Sequence, residues 1–173
     1  KDLGPILMLA DVHPGVRVFE SGVGSGALSM ALLRSGAQVT GYEIREDFAA
    51  RARTNVAAML GEGALGDYQV QIRDAYGGID ETNLDRVILD LPEPWQVVPH
   101  AARALHSGGI ILAYTPSVLQ ASRFREALDE HGFGVAETVE VLHRTWHIDG
   151  AAVRPDHRMV AHTGFVSHAR LLG

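Results

Sequence analysis

Short β-prone runs alternate with longer helical patterns from Val16 onward, and this alternation constrains the fold more than any other feature of the chain. Val16–Glu20 reads as a buried strand, Ser25–Arg34 as a helix, Gln38–Glu43 as a second strand and Glu46–Leu60 as a second helix. Tyr68–Arg73 and Leu84–Asp90 follow as strands and Trp95–Leu105 as a helix after the prolines. Gly109–Thr115 is strand, and Ser117–His131 is a helix closed by Gly132 as a left-handed cap. Helices between successive strands return the chain to the same end, so the series builds a parallel sheet covered on both faces. The end of the chain breaks the pattern: Val135–Trp146 and Met159–Leu171 are β-prone with no helix between them, which suits an antiparallel pair closing one edge. The expected fold is α/β and Rossmann-like: a mainly parallel seven-stranded sheet with helices on both faces and an antiparallel C-terminal strand pair.

A chain of 173 residues without internal repeat, linker or low-complexity stretch is expected to form one domain, residues 1–173. Its 46% hydrophobic and 21% charged residues exclude disordered, collagen-like and coiled-coil readings. The absence of cysteine excludes disulfides, thiolate metal sites and cysteine nucleophiles, and it favours a reducing, cytoplasmic compartment. No apolar run approaches the roughly 20 residues that span a bilayer. The opening Lys1-Asp2-Leu3, with neither methionine nor signal-type segment, reads as an excised domain with something upstream. Charge is uneven: residues up to Leu142 carry 11 basic and 19 acidic side chains, and those from His143 onward carry 4 and 2 together with five of the nine histidines. The net charge of −6 makes a non-specific nucleic-acid binder a poor reading but leaves room for a local basic docking region.

The strongest local signal is Glu20-Ser-Gly-Val-Gly-Ser-Gly-Ala27, where the first strand turns into the first helix. Gly22, Gly24 and Gly26 permit a tight turn and let a ligand lie against bare backbone. Glu43, 23 residues after Glu20, ends the next strand, where a carboxylate can take both ribose hydroxyls of a nucleoside. Gly22, Gly24 and Ala27 also satisfy the dinucleotide pattern, but a carboxylate at Glu20 opposes a pyrophosphate. It suits a cofactor with a cationic methionine end and no phosphate, which describes S-adenosylmethionine. Asp74, read as the end of the third strand, can receive the adenine amino group, and Phe48 can cover the adenine face, core packing being the equal alternative.

The fourth strand ends Leu89-Asp-Leu-Pro-Glu-Pro-Trp95, a carboxylate at a strand tip followed by a stiff loop poor in backbone donors. With the glycine loop, Tyr42-Glu43, Tyr114 in Ala-Tyr-Thr-Pro, Arg144-Thr-Trp146, Arg154-Pro-Asp-His157 and His162-Thr-Gly-Phe165, the sequence resembles the tRNA (adenine-58-N1) methyltransferases, a class I methyltransferase family. The resemblance covers essentially the whole chain. It implies a small upstream β domain absent from this chain, a homotetramer, no metal, and transfer of a methyl group from S-adenosylmethionine to adenine N1 in the T-loop of tRNA. Carried onto matching positions, it implies that Glu20, the loop Gly22, Val23, Gly24, Ser25, Gly26 and Ala27, then Glu43, Ile44 (through backbone only), Phe48, Asp74 and Ala75 hold the cofactor. Asp90 is then the catalytic residue between cofactor and target base, and Pro92, Tyr114, Arg144, Arg154 and His157 are expected on the RNA.

Adenine N1 carries an in-plane lone pair, so its methylation needs alignment and charge stabilisation rather than a strong base or a covalent intermediate. A target base must leave its stack to be reached, and Tyr114 at the tip of the fifth strand is the best aromatic platform, while Arg158 joins Arg144, Arg154 and His157 in the one basic region. Three alternatives stay open. One is a methyltransferase of the same fold acting on a small molecule or protein. Another is a nicotinamide-dependent oxidoreductase, disfavoured by Glu20 and by Lys1 being the only lysine; the third is a non-catalytic RNA-binding module, against which the acidic charge speaks.

Overall fold

Adjacent apolar residues on the central strands face opposite sides of the sheet, and each side collects its own core. Phe19, Val87 and Ile111 join one cluster with Val98, Ala101, Phe124 and Leu128, whereas Val18, Ile88 and Leu112 join another with Ile6, Leu32 and Val56. Strands buried on both faces in this way are what a parallel sheet requires. The computed structural model describes all 173 residues. Five helices, α1 (Leu3–Leu9), α2 (Ala27–Arg34), α3 (Glu46–Leu60), α4 (Val98–Ala104) and α5 (Val118–Glu130), accompany strands β1 (Arg17–Ser21), β2 (Gln38–Glu43), β3 (Tyr68–Ile72), β4 (Leu84–Leu89), β5 (Leu105–Thr115), β6 (Phe133–Glu140) and β9 (Phe165–Leu171) in one seven-stranded sheet. The order is β3-β2-β1-β4-β5-β9-β6; the first five strands are parallel, and β9 runs antiparallel to both β5 and β6. Strand order reverses between β1 and β4, the switch point where ligands bind in open sheets of this kind. No helix is long and apolar enough to cross a membrane.

The expected fold is present, and several of its boundaries need correction: α2 begins at Ala27 rather than Ser25, β5 at Leu105 rather than Gly109 and β6 at Phe133 rather than Val135. The long run from Val135 does not continue to Trp146: β6 stops at Glu140, opposite Phe165, because β9 supplies no pairing partner beyond that register. The run from Met159 likewise becomes strand only at Phe165. Between them lies a separate antiparallel hairpin, β7 (Trp146–Asp149) and β8 (Ala152–Pro155), which turns at Gly150 with φ +54° and stands outside the sheet. The expected helix Trp95–Leu105 is divided into a 3₁₀ turn at Pro94–Gln96 and α4, and Leu105 already belongs to β5. The third strand ends at Ile72, so Asp74 begins the following turn rather than ending the strand. At α5 the reading holds: Ser117 Oγ accepts from Leu119 N–H at 3.2 Å, and Gly132 has φ +79°.

One charged residue inside this core matters for the site. Arg86 on β4 is 5% exposed and donates to the carbonyls of Ala10 (through Nε), Asp85 (2.9 Å) and Asp11 (2.9 Å), and to Asp11 Oδ2 at 3.1 Å. It therefore satisfies carbonyls at the end of α1 and fastens that helix to the strand that carries Asp90 at its tip. Arg86→Ala is expected to lower the unfolding free energy by about 2–4 kcal/mol, since buried carbonyls lose charge-assisted partners; urea titration of the two proteins measures it.

Candidate functional site

Three glycines shape the turn between β1 and α2, with φ +85°, +55° and +82° at Gly22, Gly24 and Gly26. Space then separates their roles. A Cβ on Gly22 would lie 2.0 Å from the carbonyl oxygen of Asp90, so the tips of β1 and β4 touch backbone to backbone. A Cβ on Gly26 would lie 3.1 Å from Ala52 Cα, which lets α3 close on the turn. At Gly24 the nearest atom would be 3.9 Å away, so this residue alone presents open backbone.

Two clefts flank Gly22. The larger, about 340 Å³, is lined by the turn residues Gly22 to Ser25 and Ala27, by Asp90 and Tyr114, and by Lys1, Asp2, Leu3 and Ile6 from the first helix and its approach. The smaller, about 170 Å³, is lined by Ser21, Gly22, Tyr42, Glu43, Ile44, Arg73, Asp74, Ala75, Tyr76, Leu91 and Pro92. A ligand laid over the turn can thus place one end among Glu43 and Asp74 and the other beside Asp90.

The four expected acids sit in different environments. Glu43 is held by backbone: Oε2 accepts from Gly24 N–H and Oε1 from Arg45 N–H, both at 3.0 Å. Each oxygen keeps a lone pair for a hydroxyl. Asp74 is exposed, and its Oδ1 accepts from Tyr76 N–H at 2.9 Å, which fixes the carboxylate at the rim of the smaller cleft. Asp90 anchors its strand tip by donating its N–H to Ser21 O at 2.9 Å, and desolvation in the cleft raises its side-chain pKa above the ordinary carboxylate range. Glu20 differs from expectation. It is 1% exposed and lines neither cleft; Ser29 donates to Oε2 at 2.6 Å, Tyr68 donates to Ser29 Oγ at 2.9 Å, and Oε1 has no partner. Burial pushes its pKa to about 8, with Asp90 and Glu43 adding repulsion. At neutral pH Glu20 is therefore mainly the neutral acid, and a fixed negative charge awaiting a cationic ligand does not describe it.

Phe48 is partly buried at the start of α3, with the Arg45 guanidinium 3.9 Å from its ring centroid, and lines neither cleft. Tyr114 and Asp90 share the larger cleft, and Pro92 lines the smaller. Arg144, Arg154 and His157 are not brought to either: Arg154 pairs across the hairpin with His147, and His157 lines a separate hollow with His143, Asp156 and Arg158. No group of three or more histidine, aspartate or glutamate side chains is arranged to hold a metal ion. Sequence reading missed Tyr76, whose backbone caps Asp74 and whose hydroxyl accepts from Glu93 N–H at 3.1 Å, tying the smaller cleft to the proline loop. An aromatic residue two positions beyond a strand-end acid was the available signal. It missed as well Ser29 and Tyr68, which meet Glu20 only through the packing of α2 and β3.

Residues 1–154 match the family described as the tRNA methyltransferase complex GCD14 subunit. The chain is 35% identical over 198 residues to the tRNA (adenine(57)-N(1)/adenine(58)-N(1))-methyltransferase of Methanocaldococcus jannaschii, covering 99% of this chain and 70% of that one. It is 34% identical over 175 residues to a tRNA (adenine(58)-N(1))-methyltransferase of Thermus thermophilus, covering 96% of this chain and 66% of the relative. Among solved structures, an S-adenosylmethionine-dependent O-methyltransferase from Thermotoga maritima superposes with TM-score 0.92 at 33% identity, over 99% of this chain and 65% of that one. The tRNA (m1A58) methyltransferase of Aquifex aeolicus superposes with TM-score 0.88 at 26% identity, over 99% and 68%. The chain thus spans about two thirds of the length of these relatives.

Two outcomes follow from the geometry. Gly22→Ala is expected to lower stability by about 3 kcal/mol, because the added methyl meets Asp90 backbone at a strained φ, whereas Gly24→Ala costs only about 1–2 kcal/mol of backbone strain yet blocks the open face of the turn. Denaturant unfolding and calorimetry with S-adenosylhomocysteine separate the two effects. For Glu20, a folded pKa of about 8 against 4.5 means that its contribution to stability is complete below pH 4.5 and is lost as pH rises through 8. Glu20→Gln is expected to flatten the decline of stability across that interval, read by urea unfolding at a series of pH values.

Proposed function

The chain belongs to the family of the tRNA methyltransferase complex GCD14 subunit, and from that membership we propose that it carries the methyl-transfer site of an S-adenosylmethionine-dependent enzyme acting on adenine N1 of tRNA. One observation supports this most: the glycine turn at Gly22 and Gly24 lies between a recess bearing two carboxylates and a cleft that holds an acid and an aromatic ring. The residues fit the cofactor. Glu43 and Asp74 offer acceptors for ribose hydroxyls and an adenine amino group, Gly24 offers open backbone, and the orphaned Oε1 of Glu20 lies beneath the turn. When bound, S-adenosylmethionine supplies an electrophilic methyl group on a sulfonium.

The protein's own contribution is alignment and electrostatics. Asp90, fixed through its backbone to Ser21, accepts from the adenine N6 amino group and so turns N1 toward the larger cleft. As positive charge spreads into the base, the ionised carboxylate stabilises it, and partial desolvation strengthens that interaction. Tyr114 gives the unstacked base an aromatic face across the same cleft. Arg144, Arg154 and His157, all exposed and lying apart from the cleft, serve as outlying contacts to phosphates. Exposed Trp146, Ile148 and Val153 on the β7–β8 hairpin offer the surface on which copies of the chain would meet in the expected homotetramer.

Mass spectrometry of tRNA nucleosides after incubation with S-adenosylmethionine tests the reading. It requires 1-methyladenosine from tRNA and none from free adenosine; methylation of adenosine alone, or of neither, would overturn it. Within the mechanism, Asp90→Ala is expected to lower single-turnover transfer by about 100-fold with little change in cofactor affinity, and Asp90→Asn, which keeps an acceptor oxygen without the charge, should fall between. Because desolvation raises its pKa, activity should rise with pH through a carboxylate lying above the usual range. That acid limb should be absent from the asparagine variant.

A further inference from the structure

Gly164 is buried just before β9 and lies against the ring of Tyr114. A Cβ there would stand 2.5 Å from Tyr114 Cζ, 2.7 Å from the hydroxyl oxygen and 2.8 Å from Cε2. Its φ is not in the left-handed region, so conformation does not demand glycine at this position; the ring does. The residues on either side are tied to three other parts of the molecule. Both ring nitrogens of His162 face oxygen acceptors: Nδ1 lies 2.7 Å from Glu140 Oε1 at the end of β6, and Nε2 lies 3.0 Å from the Pro116 carbonyl after β5. Two acceptors require two donors, so the ring held in this position is the imidazolium. Thr163 donates to Asp2 Oδ2 at 2.8 Å, in the wall of the larger cleft, and the Phe165 ring lies 5.1 Å from that of His162.

We propose that the segment His162–Phe165 is a brace that sets where Tyr114 stands in the larger cleft, with Gly164 touching the ring and His162 as the positioning residue that holds Gly164 in place. The proposal rests on the reading of Tyr114 as the platform for the incoming base. A methyl group at Gly164 has no room unless the ring moves, because the Tyr114 backbone is locked in the β5–β9 register opposite Val166. The ring is rigid, so it turns as a unit and leaves its place in the cleft it shares with Asp90. The charged groups facing His162 are Glu140 from β6 and Lys1 from the N-terminal segment, with Asp2 reached through Thr163. The Glu140 carboxylate and the Pro116 carbonyl raise the His162 pKa above its ordinary 6.5, and Lys1 opposes them. The brace is accordingly complete below that range, and it loosens as pH rises through the raised value and one acceptor loses its donor.

A double-mutant cycle between Gly164→Ala and Tyr114→Ala tests the brace on the full chain. Single-turnover methylation of tRNA should fall about tenfold on Gly164→Ala, and the tRNA KM should rise, because a small misplacement of a positioning group is costly. The affinity for S-adenosylhomocysteine should change less than about twofold, and in the Tyr114→Ala background the same alanine should change the rate less than about twofold. Equal losses in both backgrounds would overturn the proposal. Thermal unfolding of the same four proteins reads the contact without RNA: the fall in Tm caused by Gly164→Ala should shrink once the ring is removed, and an undiminished fall would also overturn it. A parent protein that methylates no tRNA would sink the proposed function, and the unfolding cycle would still decide the brace. For His162, the parent's tRNA KM should climb as pH passes above the imidazole range and His162→Gln should abolish that climb; identical profiles would remove His162 from the brace.

Discussion

The carbonyl oxygen of Asp90 stands 2.0 Å from where a Cβ on Gly22 would be, and the Asp90 N–H donates to Ser21 O at 2.9 Å. This backbone contact between the tips of β1 and β4 fixes the rest of the site. It lies where the strand order reverses, so the chain leaves β1 toward one side and β4 toward the other, and the sheet opens there. Because no side chain separates the two tips, a ligand can pass over the glycine turn and remain close to Asp90. The two clefts share Gly22 for the same reason. Arg86, two strand positions below Ile88, ties α1 to β4 and so keeps one wall of the larger cleft in register with the acid at its edge.

Four carboxylates within a few strand tips would repel one another if all were treated alike, and the structure gives each a different surrounding. Glu43 is stabilised by two backbone N–H groups, and Asp74 by one at a solvent-exposed rim. Asp90 has no such donor and is raised by desolvation alone. Glu20 is fully enclosed and held by Ser29, with its pKa pushed to about 8. The raised pKa of Glu20 lets several acids converge at the turn without the full repulsion of like charges. A cationic ligand end arriving nearby would favour ionisation of Glu20 and so couple binding to proton release.

Much of the fold was legible because its signals are local. Turn glycines, helix caps and apolar runs act over a few residues, which is why α3 falls on Glu46–Leu60 and why the positive φ of Gly22, Gly24, Gly26 and Gly132 could be foreseen. Glu43 and Asp90 were legible as residues that would line a cleft because one ends and the other directly follows a strand of a parallel sheet, and strand ends converge at one edge. Less legible were features decided by a distant partner. Val135–Trp146 has the composition of one strand, yet β6 stops at Glu140 because its neighbour β9 begins opposite it. Phe48 had the right residue type beside the site and is turned aside to pack under Arg45.

The sequence by itself determined the alternating topology, the glycine turn and the acids at the strand tips, since these depend on periodicity, on backbone freedom and on where strands end. Tertiary structure alone decided what each of those groups is chemically. Glu20 becomes a neutral buried acid because Ser29 and Tyr68 close over it from α2 and β3, and Tyr114 gains a fixed position because Gly164, fifty residues later, packs against its ring. Burial and steric contact are properties of surfaces brought together from distant parts of the chain, and no local pattern of residues specifies them.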